Sequence, residues 1–414
     1  MRILIVTYAF PPLNVIASHR PYSWARTWRN LGHEVEVLTF AKHPFDGAMD
    51  LERDVSRIRV HEVPYLPVAR RRSSSPHGAA TWEKLKTLTR RARFSMGIFA
   101  DPRLLAYSPM VRRGMKLCSE RSFDLIVATS PPEVAFMVAR TLSRRASIPW
   151  IADFRDLWFR DMLLYRSRLA SWLSGPLNRW LVKSAALLVT VSRGLQDRLS
   201  HYLGREVLVS YNGYFTSKDG VQALAPGDGK LHIVYTGRLY PGKRDPEPLF
   251  RALVALRATN PEQAHRVSVD FYGFDDPWLR ALVERHGVQD CVAMHGYVPY
   301  QKSVGIQRVA DVLLFLDWTD IRAEGVLTGK LFEYLGSGRP ILAIGASKDT
   351  EAARIIADTG CGTTLTTVEE IVNYLQSLLS SPPPPIAEGA AARYSRERQA
   401  EELLAGIRQR LSPT

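Results

Sequence analysis

Short runs of aliphatic and β-branched residues alternate with longer amphipathic stretches along most of the chain. Ile3–Val6 and Val35–Leu38 are two such apolar runs, and between them apolar side chains recur at helical spacing over Pro21–Leu31. This pattern predicts a strand, a helix and a second strand. Because a strand that returns to its sheet through a helix runs parallel to the first, the sheet is expected to be parallel and buried.

The alternation runs to residue 213 and begins again after a polar, glycine-rich linker, 214–230. Further strands of the first series are predicted at Asp124–Thr129, Trp150–Ala152, Leu187–Val191 and Glu206–Ser210. Strands of the second series are predicted at Leu231–Tyr235, Arg266–Tyr272, Cys291–His295, Val312–Leu316 and Ile341–Ile344. The chain is therefore predicted to form two doubly wound, Rossmann-like α/β domains, 1–213 and 231–393, whose ligands lie at the carboxyl ends of the strands. A C-terminal helix, 394–414, is expected to pack back toward the first domain.

The composition agrees with this organisation, since 414 residues with 46% hydrophobic and 23% charged residues are enough for two or three soluble domains. The cysteines, Cys118, Cys291 and Cys361, are far apart, so they predict neither a disulfide framework nor a metal site. The sequence holds no apolar run long enough to predict a membrane-spanning helix. A cytoplasmic protein is therefore expected.

The net charge of +14 is unevenly distributed. Residues 70–93 hold eight Lys or Arg and one acid, Glu83, which accounts for half of the excess. Such a stretch is either a solvated basic loop or a segment that is attracted to an anionic membrane surface or a polyanionic acceptor. Since no nucleic-acid-binding motif accompanies the charge, nucleic acid is not expected as a partner.

The segment Glu324–Pro340 is the strongest candidate for a binding site, because a small loop with Thr328 and Gly329 precedes a helix of about two turns. Backbone N–H groups at such a helix start attract anions. Lys330 places a positive charge in the first turn, where it disfavours a helix, so an anion is expected opposite it. Glu333 follows one turn later, and a carboxylate near bound phosphate commonly holds a ribose diol. The segment is either a nucleotide site or an ordinary loop, helix and strand with a solvated Lys and Glu.

A second basic loop follows the first strand of the second series. Arg238 and Lys243 lie beside Gly237 and Gly242, which let the backbone approach a ligand closely. Two cations at a strand end suit a diphosphate, and the alternative is a basic surface loop. The P-loop motif is absent, and no Gly-x-Gly-x-x-Gly follows the first strand, which argues against a P-loop NTPase and a nicotinamide or flavin enzyme.

Several short motifs occur along the chain in a specific order. They are Phe10-Pro-Pro12, Ser18-His-Arg-Pro-Tyr22, Gly32-His-Glu-Val35, Ala128-Thr-Ser-Pro-Pro132, Tyr211-Asn-Gly213, Tyr235-Thr-Gly-Arg-Leu239, His295-Gly-Tyr-Val-Pro299, Lys330-Leu-Phe-Glu-Tyr-Leu335 and Gly338-Arg-Pro340. In this order and at these spacings the chain resembles, over nearly all its length, the family-4 glycosyltransferases of the GT-B fold. That fold has two Rossmann-like domains that face a central cleft.

The resemblance implies transfer of a sugar from a nucleotide-sugar donor, with retention of anomeric configuration and without a metal. Arg238 and Lys243 would hold the donor diphosphate, assisted by the backbone of 328–330, and Glu333 would hold the ribose. The other donor-side residues that it implies are Gly237, Gly273, Thr328, Gly329, Lys330 and Leu331, with Gly296, Tyr297 and Val298 around the base. Whether the donor carries UDP, GDP or dTDP stays open, and the acceptor is expected to be a glycan or a lipid-linked molecule in bacterial surface polysaccharide or glycoconjugate biosynthesis.

The chain departs from the family pattern at two places. The family often places two carboxylates in the donor loop, one position closer together than Glu324 and Glu333. Either Glu324 reaches the sugar through a longer loop, or it is merely exposed. Where the family often has His before Asp after the strand that ends at Ala152, this chain has Arg155-Asp156.

These departures leave the catalytic residues open. Arg155 cannot act as a base at neutral pH, but it could stabilise the leaving diphosphate or orient an acceptor. Asp153 and Asp156 are the nearest candidate bases, and the alternative is a structural ion pair of Arg155 with Asp156.

The acceptor side is expected in the first loop of the chain. The residues proposed there are Ala17, Ser18, His19 and Arg20. Arg20 either faces the ligand or only caps its helix.

Two other functions use the same fold. A nucleotide-sugar epimerase would need acid and base residues but no acceptor. A silent subunit would bind the nucleotide sugar without turnover.

Overall fold

The structure, a computed structural model, describes most of the chain. The described residues are 1–43, 46–64, 101–156, 176–216, 228–273, 276–318, 325, 327–345, 347–381 and 386–411. The basic stretch 70–93, the candidate Glu324 and most of the linker 214–230 lie outside them. The chain divides into two compact units, one of residues 1–211 with the chain from residue 400 onward, and one of residues 212–399.

The first unit contains a seven-stranded parallel sheet with the order β3-β2-β1-β4-β5-β6-β7. Its strands are β1 (Arg2–Thr7), β2 (Glu34–Phe40), β3 (Arg59–Val63), β4 (Leu125–Ser130), β5 (Trp150–Phe154), β6 (Leu187–Thr190) and β7 (Val207–Val209). The helices of this part of the chain are α1 (Ile16–Asn30), α2 (Tyr107–Glu120), α3 (Val134–Ala146) and α4 (Arg193–Leu203), and residues 176–182 are also helical. The strand order is that of a doubly wound sheet with β1 and β4 at its centre.

The second unit contains a six-stranded parallel sheet with the order β10-β9-β8-β11-β12-β13. Its strands are β8 (Leu231–Thr236), β9 (Val267–Tyr272), β10 (Val292–Gly296), β11 (Val312–Leu316), β12 (Ile341–Ile344) and β13 (Gly362–Leu365). The helices of this part of the chain are α5 (Glu247–Thr259), α6 (Pro261–His265), α7 (Pro277–His286), α8 (Tyr300–Val309), α9 (Gly329–Leu335), α10 (Glu351–Asp358) and α11 (Val368–Ser380). The last helix, α12 (Arg396–Leu411), begins in the second unit and belongs to the first unit from residue 400 onward. The two predicted doubly wound parallel sheets are confirmed.

The central strands of both sheets are buried because their sequences are apolar on both faces. In β1 every residue from Ile3 to Val6 is fully buried, as are Ile233 and Val312 in the second sheet. Each unit has its own hydrophobic core, formed by these strands and the helices that pack on them. Every strand predicted from the apolar runs is present, while β3 and β13 had not been predicted.

The first helix begins earlier than the sequence indicates. The prediction of a helix from Pro21 is wrong, because α1 begins at Ile16 and contains Pro21 in its second turn. Proline is favoured at the start of a helix, but an interior proline removes only one backbone hydrogen bond and is tolerated where packing compensates. Here Trp24 and Trp28 stack in the buried interior with ring centroids 5.7 Å apart, and the Trp28 indole N–H donates to the Ala400 carbonyl.

Among the described helices, none has the length and apolar composition that are needed to cross a membrane.

Candidate functional site

The two central strands of the second sheet separate at their carboxyl ends. β8 pairs with β9 as far as Thr236, but it pairs with β11 only at Ile233 and Val234. The strand order reverses at this point, since β9 lies on one side of β8 and β11 on the other. In doubly wound sheets, the crevice beyond such a switch point is the usual place for a ligand.

Side chains of α9 and α8 form hydrogen bonds with the polar groups of Thr236, the last residue of β8. The Thr236 N–H donates to the Tyr334 hydroxyl at 2.9 Å, and the Lys330 ammonium donates to the Thr236 carbonyl. The Gln307 amide donates to the Thr236 hydroxyl at 3.0 Å. Tyr334 is fully buried, so α9 is fixed to the end of β8 at the switch point.

Lys330 contacts backbone and aromatic atoms at this position. Its ammonium lies 3.5 Å from the centroid of the Tyr235 ring, in addition to its bond with the Thr236 carbonyl. Burial and, secondly, the positive charge of Arg244 hold the pKa of Lys330 well below its usual range, while Glu333 acts in the opposite direction. The Thr236 carbonyl oxygen is one partner of the Lys330 ammonium, and the anion expected opposite Lys330 stays a prediction. A bound anion would favour the charged form of Lys330.

Three glycines bring the ends of β8, β9 and β10 together. The Gly237 N–H donates to the Tyr272 carbonyl at 2.6 Å, and the Gly273 N–H donates to the Gly296 carbonyl at 2.9 Å. A β-carbon on Gly273 would lie only 2.2 Å from the Gly237 carbonyl oxygen. Gly273 is therefore needed for the contact between two backbone segments, a requirement that the structure explains without a ligand.

Gly273→Ala is expected to displace the loop after β8 and to destabilise the second unit by roughly 1–3 kcal/mol, as overpacked positions do. Urea unfolding of the variant measures this loss. Gly406→Ala is the control, because its β-carbon would meet the nearest side chain, Leu208, at an ordinary 3.6 Å. Alanine is the better helix former, so the control is expected to be at least as stable as the unchanged chain. Unfolding of Gly273→Ala at the original urea concentration would contradict the close approach.

A cavity of about 270 Å³ opens beside these glycines. All three glycines line it, together with apolar side chains and the polar side chains of Arg280 and His295. The His295 ring stacks on Tyr272 at 4.3 Å and its Nε2 lies 2.7 Å from a carboxylate oxygen of Asp270. A concave site that combines apolar side chains with a few polar groups is the usual form of a small-molecule site.

Only part of the predicted base-binding set lines this cavity. Gly296 does, whereas Tyr297 and Val298 are outside the lining, and the Tyr297 side chain is 57% exposed. Arg280 and His295 were not predicted as ligand-facing residues. Their signal in the sequence was weak, because a lone Arg on a helix and a lone His at a strand end have many structural uses.

The loop after β8 carries three cations. Arg238, Lys243 and Arg244 all lie beside the ring of Tyr240 or of Trp318, at 5.1–5.4 Å from the ring centroids. Arg238 and Lys243 were predicted, and Arg244 was not, although it is the next residue in the chain. The loop therefore concentrates positive charge at the carboxyl end of β8, beside the cavity.

The predicted donor residues of the segment before β12 differ in their surroundings. Thr328 immediately precedes α9, and its hydroxyl is buried with no hydrogen-bond partner among the described residues. Leu331 is fully buried and its N–H donates to the Thr328 carbonyl. In this structure neither its side chain nor its N–H is exposed to a ligand. Gly329 and Glu333 are half-buried. The polar residues of this segment, but not Leu331, are in a position to contact a ligand.

In the first unit, Asp153 lies in a buried ion pair. Arg20 contacts its carboxylate through Nε and Nη2, the latter at 2.8 Å, and both side chains are at most 3% exposed. The Thr129 hydroxyl donates to the same carboxylate at 2.7 Å, while Arg20 also donates to the carbonyls of Ser210 and Tyr211. Arg20 thus connects α1 to the ends of β5 and β7. Asp153 is a structural partner of Arg20 here, which is against its interpretation as a base.

Arg155 points back toward the end of β4. Its guanidinium donates to the carbonyls of Ser130 and Pro131. Burial lowers the pKa of Arg155, and the nearby carboxylates of Asp156 and Asp153 offset only part of this effect. A guanidinium is not deprotonated in proteins, so Arg155 cannot act as a base. Asp156 is exposed. The charge of Asp156 acts on Arg155, which itself donates to carbonyls, while Asp156 lies at the surface. The ion pair of Arg155 with Asp156 therefore stays a prediction.

All four predicted acceptor residues lie inside α1 and not in the first loop, where they were expected. Ser18, His19 and Arg20 are buried, and Ala17 is half-buried. The Ser18 hydroxyl has no hydrogen-bond partner within the described part of the chain. Among all residues that the structure describes, no group of His, Cys, Asp or Glu has the geometry of a metal site.

Comparisons with known proteins agree with this architecture. The family model described as "Glycosyl transferase 4-like domain" matches residues 17–213. Among solved structures, sucrose-phosphate synthase from Thermosynechococcus elongatus is similar, with a TM-score of 0.63, 14% identity and coverage of 99% of this chain and 98% of that one. HepE from Anabaena, in complex with UDP and glucose, has a TM-score of 0.61, 17% identity and coverage of 98% and 99%.

The lipopolysaccharide outer core galactosyltransferase WaaB, in its apo form, has a TM-score of 0.59 with 13% identity and covers 99% of this chain and 100% of its own. A search of curated protein sequences finds no significant match. At these identities the likeness concerns the fold, and the predicted GT-B fold is confirmed.

Proposed function

We propose that the protein is a retaining glycosyltransferase that takes its sugar from a nucleotide-sugar donor bound by the second unit. The observation that carries the proposal is the basic loop with Arg238, Lys243 and Arg244, which lies beside a glycine-walled cavity at the switch point of the second sheet. The match of residues 17–213 to a glycosyltransferase domain supports it.

Each part of the donor has a counterpart in this site. The diphosphate lies against Arg238 and Lys243, since Arg binds phosphate oxygens in pairs and Lys supplies a point charge. The base enters the cavity beside Gly296, and Glu333 accepts hydrogen bonds from the ribose hydroxyls. UDP is the first nucleotide to test, because the HepE structure, which has a similar fold, contains UDP and glucose.

The reaction breaks the bond between the anomeric carbon and the diphosphate oxygen and forms a bond from that carbon to the acceptor oxygen on the same face. The acceptor proton passes to the departing phosphate oxygen, so no protein nucleophile takes part. The cations of the loop stabilise the negative charge that develops on the diphosphate, and the proposal includes no metal. The engagement of Asp153 with Arg20 agrees with a mechanism that does not use it as a base.

The acceptor is proposed to be a glycan or a lipid-linked glycan in bacterial surface polysaccharide or glycoconjugate biosynthesis. A segment with the charge of 70–93 suits work at an anionic membrane surface. That localisation would be peripheral, at the inner face of the membrane.

Incubation of the protein with UDP-, GDP- and dTDP-sugars that are labelled in the sugar tests the proposal. Release of the nucleoside diphosphate, with the label on an added glycan acceptor or free in water, is the expected result. Conversion of the sugar without nucleotide release would indicate an epimerase instead. Tight binding with no turnover of any donor, even with a cell-envelope extract as the acceptor source, would indicate a silent subunit.

Glu333→Ala is expected to raise the Kd for UDP by roughly 10- to 100-fold, because a charge-assisted hydrogen bond contributes about 1.5–3 kcal/mol. The unchanged chain should bind UDP more tightly than 2′-deoxy-UDP, and the variant should bind both equally. Isothermal titration calorimetry measures the four constants, with Glu369→Ala on α11 as the control for loss of a carboxylate. An unchanged preference for UDP over 2′-deoxy-UDP in Glu333→Ala would remove Glu333 from the ribose site.

A further inference from the structure

Two aromatic rings from different parts of the second unit stack at the carboxyl ends of its strands. Tyr240 belongs to the loop after β8, and Trp318 follows β11 by two residues. Their ring centroids are 5.9 Å apart and the ring planes differ by 23°. Because β8 and β11 are the strands that separate at the switch point, the ring pair lies beside the crevice between them.

The faces of this ring pair hold the cations of the basic loop. The Lys243 ammonium lies 5.1 Å from the Trp318 centroid, and the Arg244 guanidinium lies 5.2 Å and 5.3 Å from the Tyr240 and Trp318 centroids. These are cation–π distances. Of the two rings, Trp318 is the one with a cation–π contact to Lys243 in the described part of the chain.

The backbone of the loop fixes the Tyr240 side of the arrangement. The N–H groups of Lys243 and Arg244 both donate to the Tyr240 carbonyl, at 3.0 Å and 2.9 Å. The Tyr235 hydroxyl donates to the Arg238 carbonyl at 2.9 Å, and the positive charge of Arg244 acts against the rise that burial causes in the pKa of Tyr235. These bonds fix the backbone of the loop, and Trp318 contacts its cations from another part of the chain.

Neither Lys243 nor Arg244 has a carboxylate partner in the part of the chain that the structure describes. Surface cations commonly pair with acids, whereas these two are placed against aromatic faces, which attract a cation without neutralising it. An aromatic contact leaves the positive charge of the side chain in place, so Lys243 and Arg244 can bind an anion while they stay against the rings.

We infer that Trp318 is a positioning residue of the donor site, whose indole face holds Lys243 and Arg244 in place for the diphosphate. This inference rests on the proposed function. A lysine or arginine side chain that binds an anion must give up its rotamer freedom, and a side chain that is already held loses less on binding. Arg244 is accordingly a third cation of the diphosphate site.

The test compares ligands that differ only in their phosphates, namely UDP, UMP and uridine, on full-length variants. Trp318→Leu keeps an apolar side chain but removes the aromatic face. It is expected to raise the Kd for UDP about tenfold, which is 1.4 kcal/mol and within the range of cation–π contacts, and to leave the Kd for uridine unchanged. UMP should be affected less than UDP.

Trp318→Phe keeps a smaller aromatic face, so it should restore most of the UDP affinity, to within about threefold of the unchanged chain. It also keeps the inference testable if the Leu variant does not fold, because a threefold loss for UDP with no loss for uridine is again the expected pattern. Trp180→Leu is the matched control. Trp180 lies in the first unit, is 52% exposed and stacks with Arg140 at 3.7 Å, and its replacement should change no nucleotide affinity.

The outcomes separate the inference from the function on which it rests. If the unchanged chain binds UDP and Trp318→Leu binds it equally well, the positioning role is wrong while the donor site stands. Equal losses for UDP and uridine would also overturn it, since they indicate a general structural role. If the unchanged chain binds none of UDP, GDP and dTDP, the proposed function fails and the positioning role fails with it.

Discussion

Replacement of both Arg238 and Lys243 by alanine is expected to raise the Kd for UDP on the order of a thousandfold. Each cation makes charge-assisted contacts with the diphosphate that contribute about 1.5–3 kcal/mol, and 1.4 kcal/mol corresponds to a factor of ten. Isothermal titration calorimetry at a fixed salt concentration measures the change, because these contacts weaken as salt rises.

A matched control separates local contacts from a general effect of charge. Arg251 and Lys302 are exposed residues of α5 and α8, and Arg251→Ala with Lys302→Ala removes the same charge from the same unit. This control should leave the Kd for UDP within about twofold, since solvent-exposed charges that make no contact with the ligand are weakened by salt. Equal weakening of UDP binding by both double variants would mean that the basic loop attracts the nucleotide without forming its site.

Replacement of Arg20 by methionine is expected to destabilise the first unit by about 3–5 kcal/mol. It removes the partner of the Asp153 carboxylate, which is 1% exposed and would be left as a buried, unpaired charge. The Ser210 carbonyl would also lose a donor at 2.8 Å. Urea unfolding, followed by a signal from the first unit, measures the loss in the free energy of unfolding.

Two further variants show whether the charge is the cause. In Arg20→Met with Asp153→Leu no charge remains buried at this place, so much of the lost stability should return. Arg2→Met breaks a similar pair with Glu34, but there the two side chains are 46% and 58% exposed, so little change is expected. If Arg20→Met left stability unchanged and instead weakened acceptor binding, Arg20 would belong to the acceptor side as the sequence first indicated.

Most of the fold could be predicted from the sequence, because buried parallel strands are short apolar runs between turn residues. β13 could not, since Gly362–Leu365 contains two threonines and a single large apolar residue. β3 was missed for a related reason, because Arg59–Val63 lies at a sheet edge and contains three polar residues and only two valines. The start of α1 was misplaced because Pro21, a residue typical of a first turn, lies inside the helix.

The sequence was sufficient to identify charged residues of the candidate site, but not the contacts that these residues make. Arg238 and Lys243 were evident because they follow a strand end beside glycines. The bond between Lys330 and the Thr236 carbonyl joins residues that are 94 positions apart, and the Arg20–Asp153 pair joins residues that are 133 apart. Such pairings depend on strand order and on the packing of α1 and α9, which local sequence patterns do not contain.

Tyr240 and Trp318 illustrate the same limit. Each is a lone aromatic residue in a loop, and its sequence neighbours give no indication of a partner. Only the order β8-β11 in the sheet brings the two loops together. Arg244 was overlooked because Lys243 alone satisfied the predicted spacing.

The central claim, that the switch point of the second sheet binds the nucleotide of a sugar donor, is tested most directly by a crystal structure of the protein with UDP. The account predicts the diphosphate within hydrogen-bond distance of Arg238 and Lys243, and the base in the cavity beside Gly296. UDP bound in the first unit, or bound in the second unit away from the loop after β8, would contradict it.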